Sequence, residues 1–369
     1  YKFPQVWKNN FAIDQKLPFL GLVASVELLY NKTINAVHYY NANFDRPVGN
    51  LGGVDKRYLY ANTDAGVRIN DNVSMGAVLT NRDGAYNKSA TFKLEKPISK
   101  GLWGYVAYTT ADAKDFMDAG SIASGSWQSA LSVNGNNDLS LTTSSFLVKN
   151  RIVGLLGYRL DYGDKKGGAT TFTLGYVGSQ NNPFSYIVAG DLNGDRVFNN
   201  DLVFVPKSGS DIRFSPLTVG SGTTAVTYTE AQQQEAFEKF ISQDPYLSTR
   251  RGQYAERNAL ALPFLHRFDL SVTQDVFVKI KGKRNAFQIR ADILNFGNML
   301  NNEWGVSQRA TNSQLLNFVS RDANNVPTYR LATQRDASGT YLIKDTYQYN
   351  SSVFDVWTAQ LGVRYTFGK

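Results

Sequence analysis

The chain has 369 residues with a formal net charge of +8, 13% aromatic residues, 31 glycines, two histidines and no cysteine. The lack of cysteine excludes a disulfide scaffold, a thiolate zinc site and a cysteine nucleophile, and two histidines exclude a polyhistidine metal centre. Only 19% of residues are charged, no basic helix or nucleic-acid motif appears, and no apolar run reaches the ~18 residues of a spanning helix, so neither a nucleic-acid partner nor a helical membrane anchor is expected.

A first strand carrying Trp7 and Asp14 runs to a short join at Lys16–Phe19. Beyond it, Leu22, Ala24, Val26, Leu28 and Tyr30 alternate with Ser25, Glu27 and Asn31. Alternation with period two predicts a strand with one apolar and one polar face. The pattern returns where Ala90, Phe92 and Leu94 oppose Thr91, Lys93 and Glu95. The segment 102–112 is strand-like, but its faces do not separate in the sequence. Further alternating stretches fall at 151–162, 171–176, 267–272 and 287–293. In the last stretch Trp357, Ala359, Leu361, Val363, Tyr365 and Phe367 share one face, and Thr358, Gln360, Gly362, Arg364 and Thr366 the other. Nine strands are thus expected. Several exceed the usual ~5–6 residues and match the ~9–11 of a tilted membrane crossing.

The connections alternate in length. Short joins lie at Lys16–Phe19, Pro97–Gly101, Gly163–Gly168 and Lys281–Arg284, and long ones at about 45–84, 115–146, 188–262 and 302–350. Short turns on one side and long loops on the other define an outer-membrane barrel, with the short turns periplasmic. The expected fold is therefore all-β: an antiparallel transmembrane β-barrel with long extracellular loops, in the bacterial outer membrane. Basic turn residues such as Lys16, Lys96 and Lys100 would lie near anionic head groups or simply serve solubility. Nine strands do not close a bacterial barrel, which takes an even number, and an open edge in lipid is costly. Further strands, from chain preceding Tyr1, are expected.

The loop 188–262 has internal signals. Asp191, Asn193, Asp195, Asn199 and Asp201 put oxygen side chains at positions 1, 3, 5, 9 and 11 of one turn-rich segment, the kind of spacing an EF-type calcium loop uses. Arg196 stands where position 6 calls for glycine, and no glutamate stands at position 12. The alternative is a polar loop held by its own side-chain hydrogen bonds. Thr229-Glu230-Ala231-Gln232 reads as a capping box, opening a helix to about Ser242 with Phe237, Phe240 and Ile241 on one face, ended by Asp244-Pro245. That helix would pack on the loops or act as a lid over a substrate.

No nucleotide, metalloprotease or serine-hydrolase motif appears, and no catalytic residue is expected. His38 reads as a surface residue in a strand extension. His266, at a strand start, reads as a hydrogen-bonding interface residue. Aromatics near strand ends, among them Trp7, Tyr30, Tyr158, Trp357 and Tyr365, suit an interfacial girdle. Loop aromatics (Phe44, Tyr58, Tyr60, Trp127, Trp304 and Tyr347) are candidates for substrate contact or for loop packing.

Asp191–Pro206 (DLNGDRVFNNDLVFVP) and Tyr246–Asp275, with its HRFDLSVTQD strand, resemble stretches of Oar-like TonB-dependent outer-membrane receptors. Ala291–Asn298 (ADILNFGN) resembles the penultimate-strand motif of such barrels, and Arg364–Phe367 resembles an outer-membrane insertion signal. The resemblance runs through the whole chain in order. It implies a 22-stranded barrel, of the kind that carries a plug, of which this chain holds the last nine strands but neither the plug nor the TonB box. It further implies import of a scarce or bulky substrate driven by TonB–ExbB–ExbD. Polar-face charges (Asp14, Glu27, Glu95, Asp161, Asp269, Asp275 and Asp292 with Arg151, Arg159, Arg267, Arg290 and Arg364) would pair across the lumen or meet the plug. A surface lipoprotein or other complex partner would dock on the loops. The rival expectations are a passive channel or barrel subunit of a secretion or assembly complex, and a secreted calcium-binding β-rich adhesin.

Overall fold

The computed structural model describes residues 1–162, 167–180, 183–280 and 283–367, the side chains of 279, 280, 283 and 284 excepted. Nine long strands form the path of the main sheet: β1 Gln5–Lys16, β2 Val23–Ile34, β3 Tyr86–Ser99, β4 Leu102–Asp115, β5 Asn150–Asp161, β6 Gly168–Gln180, β7 Phe264–Ile280, β8 Lys283–Leu294 and β9 Thr358–Thr366. They pair in chain order, each antiparallel to its neighbours. The short strand Thr142–Thr143 adds to this sheet beside β4. The nine expected strands are all present. Among the described residues β1 and β9 form the two edges of this path and do not pair with each other, so the sheet is an open meander.

The register resolves what alternation left open in β4. Val106 lies opposite Leu94 and Tyr108 opposite Phe92, while Gly154 and Ile152 flank them on the other side. Leu102, Gly104, Val106 and Tyr108 therefore belong to the apolar face, and Trp103, Tyr105 and Ala107 to the polar one. The apolar face is uncovered: Phe11, Leu28, Phe92, Leu156, Phe172 and Ile289 are exposed, and Leu361 is 73% exposed. The other face carries ion pairs. Arg159 meets Asp275 at 3.1 Å, Arg290 meets Asp292 at 2.8 Å and Lys93 meets Glu95. The Asn10 amide donates to Glu27 at 3.0 Å.

The β3–β4 join is tight because both of its residues take positive φ, Lys100 at 52° and Gly101 at 84°. That is the backbone of a hairpin turn whose twist suits the flanking strands. A side chain at Gly101 would meet the Arg159 carbonyl oxygen at 2.2 Å, so glycine is required there on two counts. The turns at Gly163–Gly168 and Lys281–Arg284 fall partly outside the described residues.

The long connections 35–85, 181–263 and 295–357 build a cap with its own core. Tyr186, Leu192, Phe237, Phe240, Ile241, Leu247 and Leu315 are all fully buried there, packed with Leu51, Leu316, Leu331 and Ile343. Its five-stranded sheet runs in the order Asp201–Leu202, Ile187–Ala189, Gln314–Arg321, Pro327–Leu331, Arg213–Phe214. Two of these pairings are parallel and join different connections. The segment 188–262 is therefore not a unit of its own, because its core is shared with 51–59 and 315–343. A second cluster joins Tyr39, Met117, Trp127, Leu139 and Val197, which brings in the connection 116–149.

The helix of the cap spans Glu230–Gln243 and opens with both reciprocal bonds of the capping box between Thr229 and Gln232. Phe237, Phe240 and Ile241 are wholly buried. Asp244 ends the helix and accepts from Tyr186 Oη at 2.7 Å and Thr346 Oγ1 at 2.9 Å. Thr229→Ala removes the capping oxygen and is expected to cost about 1 kcal/mol. Faster amide exchange confined to the first turn of the helix would register it; unchanged exchange there would mean the cap contributes nothing.

Candidate functional site

The buried polar centre of the cap is the turn Asp191–Asp201. Asp191, Asn193 and Asp195 are held by the short-range geometry of Asx turns, in which a carboxylate or amide oxygen accepts from a backbone N–H nearby. Asp191 accepts from the N–H groups of Gly194 at 2.8 Å and Arg196 at 3.1 Å. Asn193 accepts from Asp195 N at 3.0 Å. Asp195 accepts from Val197 N at 2.8 Å and from the Asn193 amide at 3.1 Å. Asp201 closes the turn by accepting from Leu192 N at 3.0 Å. Gly194 and Arg196 both have positive φ, 77° and 64°. The loop thus coils at position 6 although arginine stands there instead of glycine; the Arg196 side chain extends outward to Asp64 at 2.8 Å.

Four of the five residues singled out by spacing meet in this centre. Asp191, Asn193, Asp195 and Asp201 are buried. Asn199 does not join them: it is exposed, sits at φ 61°, and its side-chain oxygen accepts from Gly190 N at 2.9 Å. The neighbouring Asn200 takes the inner position. It is 1% exposed, and its amide nitrogen lies 3.1 Å from Asn136 Oδ1 and 3.4 Å from Asp195 Oδ2. Its Oδ1 is buried with no hydrogen-bond partner. Counting alternate positions selects Asn199; the left-handed turn at that residue is what brings Asn200 inward. As placed, among the described residues, no three acidic or histidine side chains gather at one point.

Arg57 is the main counter-charge. It is fully buried, lies 2.9 Å from Asp55 and 3.0 Å from Asp201, and donates to the Leu202 carbonyl at 2.7 Å. Its residue type and place in the first long connection gave no sequence signal, because its partners are elsewhere in the chain. Arg321 adds a second guanidinium, donating to the Leu192 carbonyl at 3.1 Å. Burial raises the Asp195 carboxyl, and the negative charge of Asp201 raises it further. Burial likewise raises Asp201, with Arg57 opposing.

The remaining candidates sort by packing. Trp127 is 4% exposed and donates to Asn137 Oδ1 at 2.8 Å. Phe44 packs on Trp127 and Tyr60, and Tyr347 donates to the Ala261 carbonyl at 3.0 Å. These four hold loops together, while Tyr58 and Trp304 stay exposed. His266 Nδ1 lies 2.7 Å from Tyr176 Oη, in the bonding role expected of it. His38 corrects the sequence reading: it is buried, 6% exposed, edge-on to Phe116, with Nδ1 unpartnered.

Burial, then the charge of Arg82, holds the His38 imidazole below its ordinary 6.5. A lowered folded-state value means stability present above that ordinary value and lost as pH falls below it. The hairpin Ala36–Asn41 with Ala77–Arg82 is therefore expected to lose amide protection, relative to the intrinsic exchange rate, as pH falls from about 7 to 5. His38→Phe should flatten that profile; an unchanged pH response would assign it to another group.

The chain matches no family profile, no curated protein and no solved structure.

Proposed function

We propose that this chain is part of the wall and the extracellular cap of a bacterial outer-membrane β-barrel, and that the barrel is a TonB-dependent transporter of the Oar-like kind. The observation that carries the membrane reading is the uncovered apolar face of the nine-strand sheet. Every large side chain that is fully buried among the described residues belongs to the cap. Lipid is the environment in which an exposed apolar face opposite a charged one is stable. Both sheet edges then need partners in the bilayer, from strands outside residues 1–369.

The transport reading rests on the sequence motifs. In it the lumen-facing ion pairs meet a plug, the cap receives a scarce or bulky substrate, and TonB–ExbB–ExbD supplies the force. A surface lipoprotein or other partner would sit on the cap. The test is made on the whole protein in its own cells. It should fractionate with the outer membrane, need detergent for release and crosslink to TonB. Stable conductance in a planar bilayer without a TonB adduct would replace this reading with a passive channel. Release without detergent would replace it with a secreted adhesin.

A further inference from the structure

We infer that the Asp191–Asp201 turn is a calcium site whose side-chain ligands are Asp191, Asn193, Asp195, Asn200 and Asp201, and that its occupancy locks the connections of the cap together. The inference goes beyond the transport reading and stands without it, since it concerns the cap alone.

The observation pointing to a ligand is Asn200. Its amide nitrogen reaches Asp195, while its amide oxygen is shut away from water and bonded to nothing. An orphan acceptor is costly unless something electropositive fills its place. The nitrogen of the same amide is already committed to two oxygens, so exchanging the two ends does not relieve it.

Charge points the same way. Asp55, Asp191, Asp195 and Asp201 are all buried. The guanidinium groups that face them are Arg57, Arg321 and, for Asp191, Arg196, which is also paired with Asp64. Buried carboxylates outnumber the guanidinium groups around the turn, an imbalance that a bound cation relieves. The donors are all oxygen, which selects a hard cation, and a flexible set of carboxylates and amides suits calcium better than the strict octahedron of magnesium.

The backbone is already coiled for the ion. A calcium loop of this type turns sharply at position 6, and Arg196 holds that turn with φ 64°. The carboxylates accept from main-chain donors rather than gather at a point. Each oxygen of Asp191 accepts a single hydrogen bond, and a carboxylate has about four acceptor positions. The side chains can therefore turn toward a cation and keep their Asx turns.

Other connections hang on this turn. Tyr60 N donates to the Asn193 carbonyl at 2.8 Å, and Asn62 N to the Gly194 carbonyl at 3.1 Å. Arg321 donates to Leu192. Fixing the turn fixes their ends.

The experiment uses the whole protein in detergent, stripped with EGTA and then given CaCl2 or MgCl2 at about 1 mM, within the range of extracellular calcium modules. Retained metal is measured by atomic emission, and cap order by the rate of limited proteolysis. About one calcium per chain should be retained, and cleavage within the cap should slow tenfold or more with calcium and far less with magnesium. Asn200→Ala and Asp195→Asn should lose both effects; Asn199→Ala should keep them. Should the variants fail to fold, terbium luminescence sensitised by Tyr60 in the unaltered protein, displaced by calcium, reports the same site. No retained calcium and no terbium signal would overturn the inference. Calcium held equally by Asn200→Ala would also overturn it, assigning the ion to lipid head groups.

Discussion

Arg57→Leu is expected to destabilise the cap by about 3–5 kcal/mol, the cost of removing one partner from a buried ion pair. Arg57 faces two carboxylates, Asp55 and Asp201, and has no exposed side-chain surface. The leucine leaves both acids buried without their cation and orphans the Leu202 carbonyl that Arg57 also serves. Protease cleavage of the cap and its denaturant midpoint should both shift in cation-free buffer, while the nine-strand sheet keeps its β signal. If Asp55 and Asp201 are replaced by apolar residues alongside Arg57, much of the loss should return, since the charges then disappear together. An Arg57→Leu protein with the unaltered midpoint would mean the three groups do not hold one another in solution.

Leu361→Arg is expected to block assembly in the outer membrane. Leu361 lies near the middle of β9, is 73% exposed and faces the same side as Ala291 of β8. An arginine on the lipid face near the bilayer midplane costs about 2–4 kcal/mol. Gln360→Arg, one residue away on the polar face opposite Asp292, should assemble normally. The pair is read by the amount of each variant in the outer-membrane fraction. Normal assembly of Leu361→Arg would mean that face does not meet lipid.

The wall of the molecule was legible in the sequence because a strand writes its two faces in alternate residues. β9 is the clearest case, with Trp357 to Phe367 on one side and Arg364 and Gln360 on the other. β4 was ambiguous because Trp103 and Tyr105 on the polar face and Gly104 on the apolar face erase the contrast; only its pairing with Leu94 and Phe92 resolves it. The helix was legible for a local reason, a capping box followed by apolar residues at helical spacing. The cap as a whole was not. Its sheet includes strands as short as Asp201–Leu202 and Arg213–Phe214, too brief to show any period. The carboxylates of the candidate site were found by spacing. Asn200, Arg57 and the burial of His38 depend on contacts that neither spacing nor composition records.

Contacts between distant parts of the chain tie the cap to the strands it connects. Arg57 and Asp201 are 144 residues apart, Arg321 and Leu192 are 129 apart, and Gln233 and Leu331 are 98 apart. Contacts so distant in the chain are slow to form, because the intervening segment must first be confined. Here the intervening segments contain β3 to β8, so closing the cap's core also draws those strands together. The apolar side chains of each connection are sheltered only when the other connections pack on them.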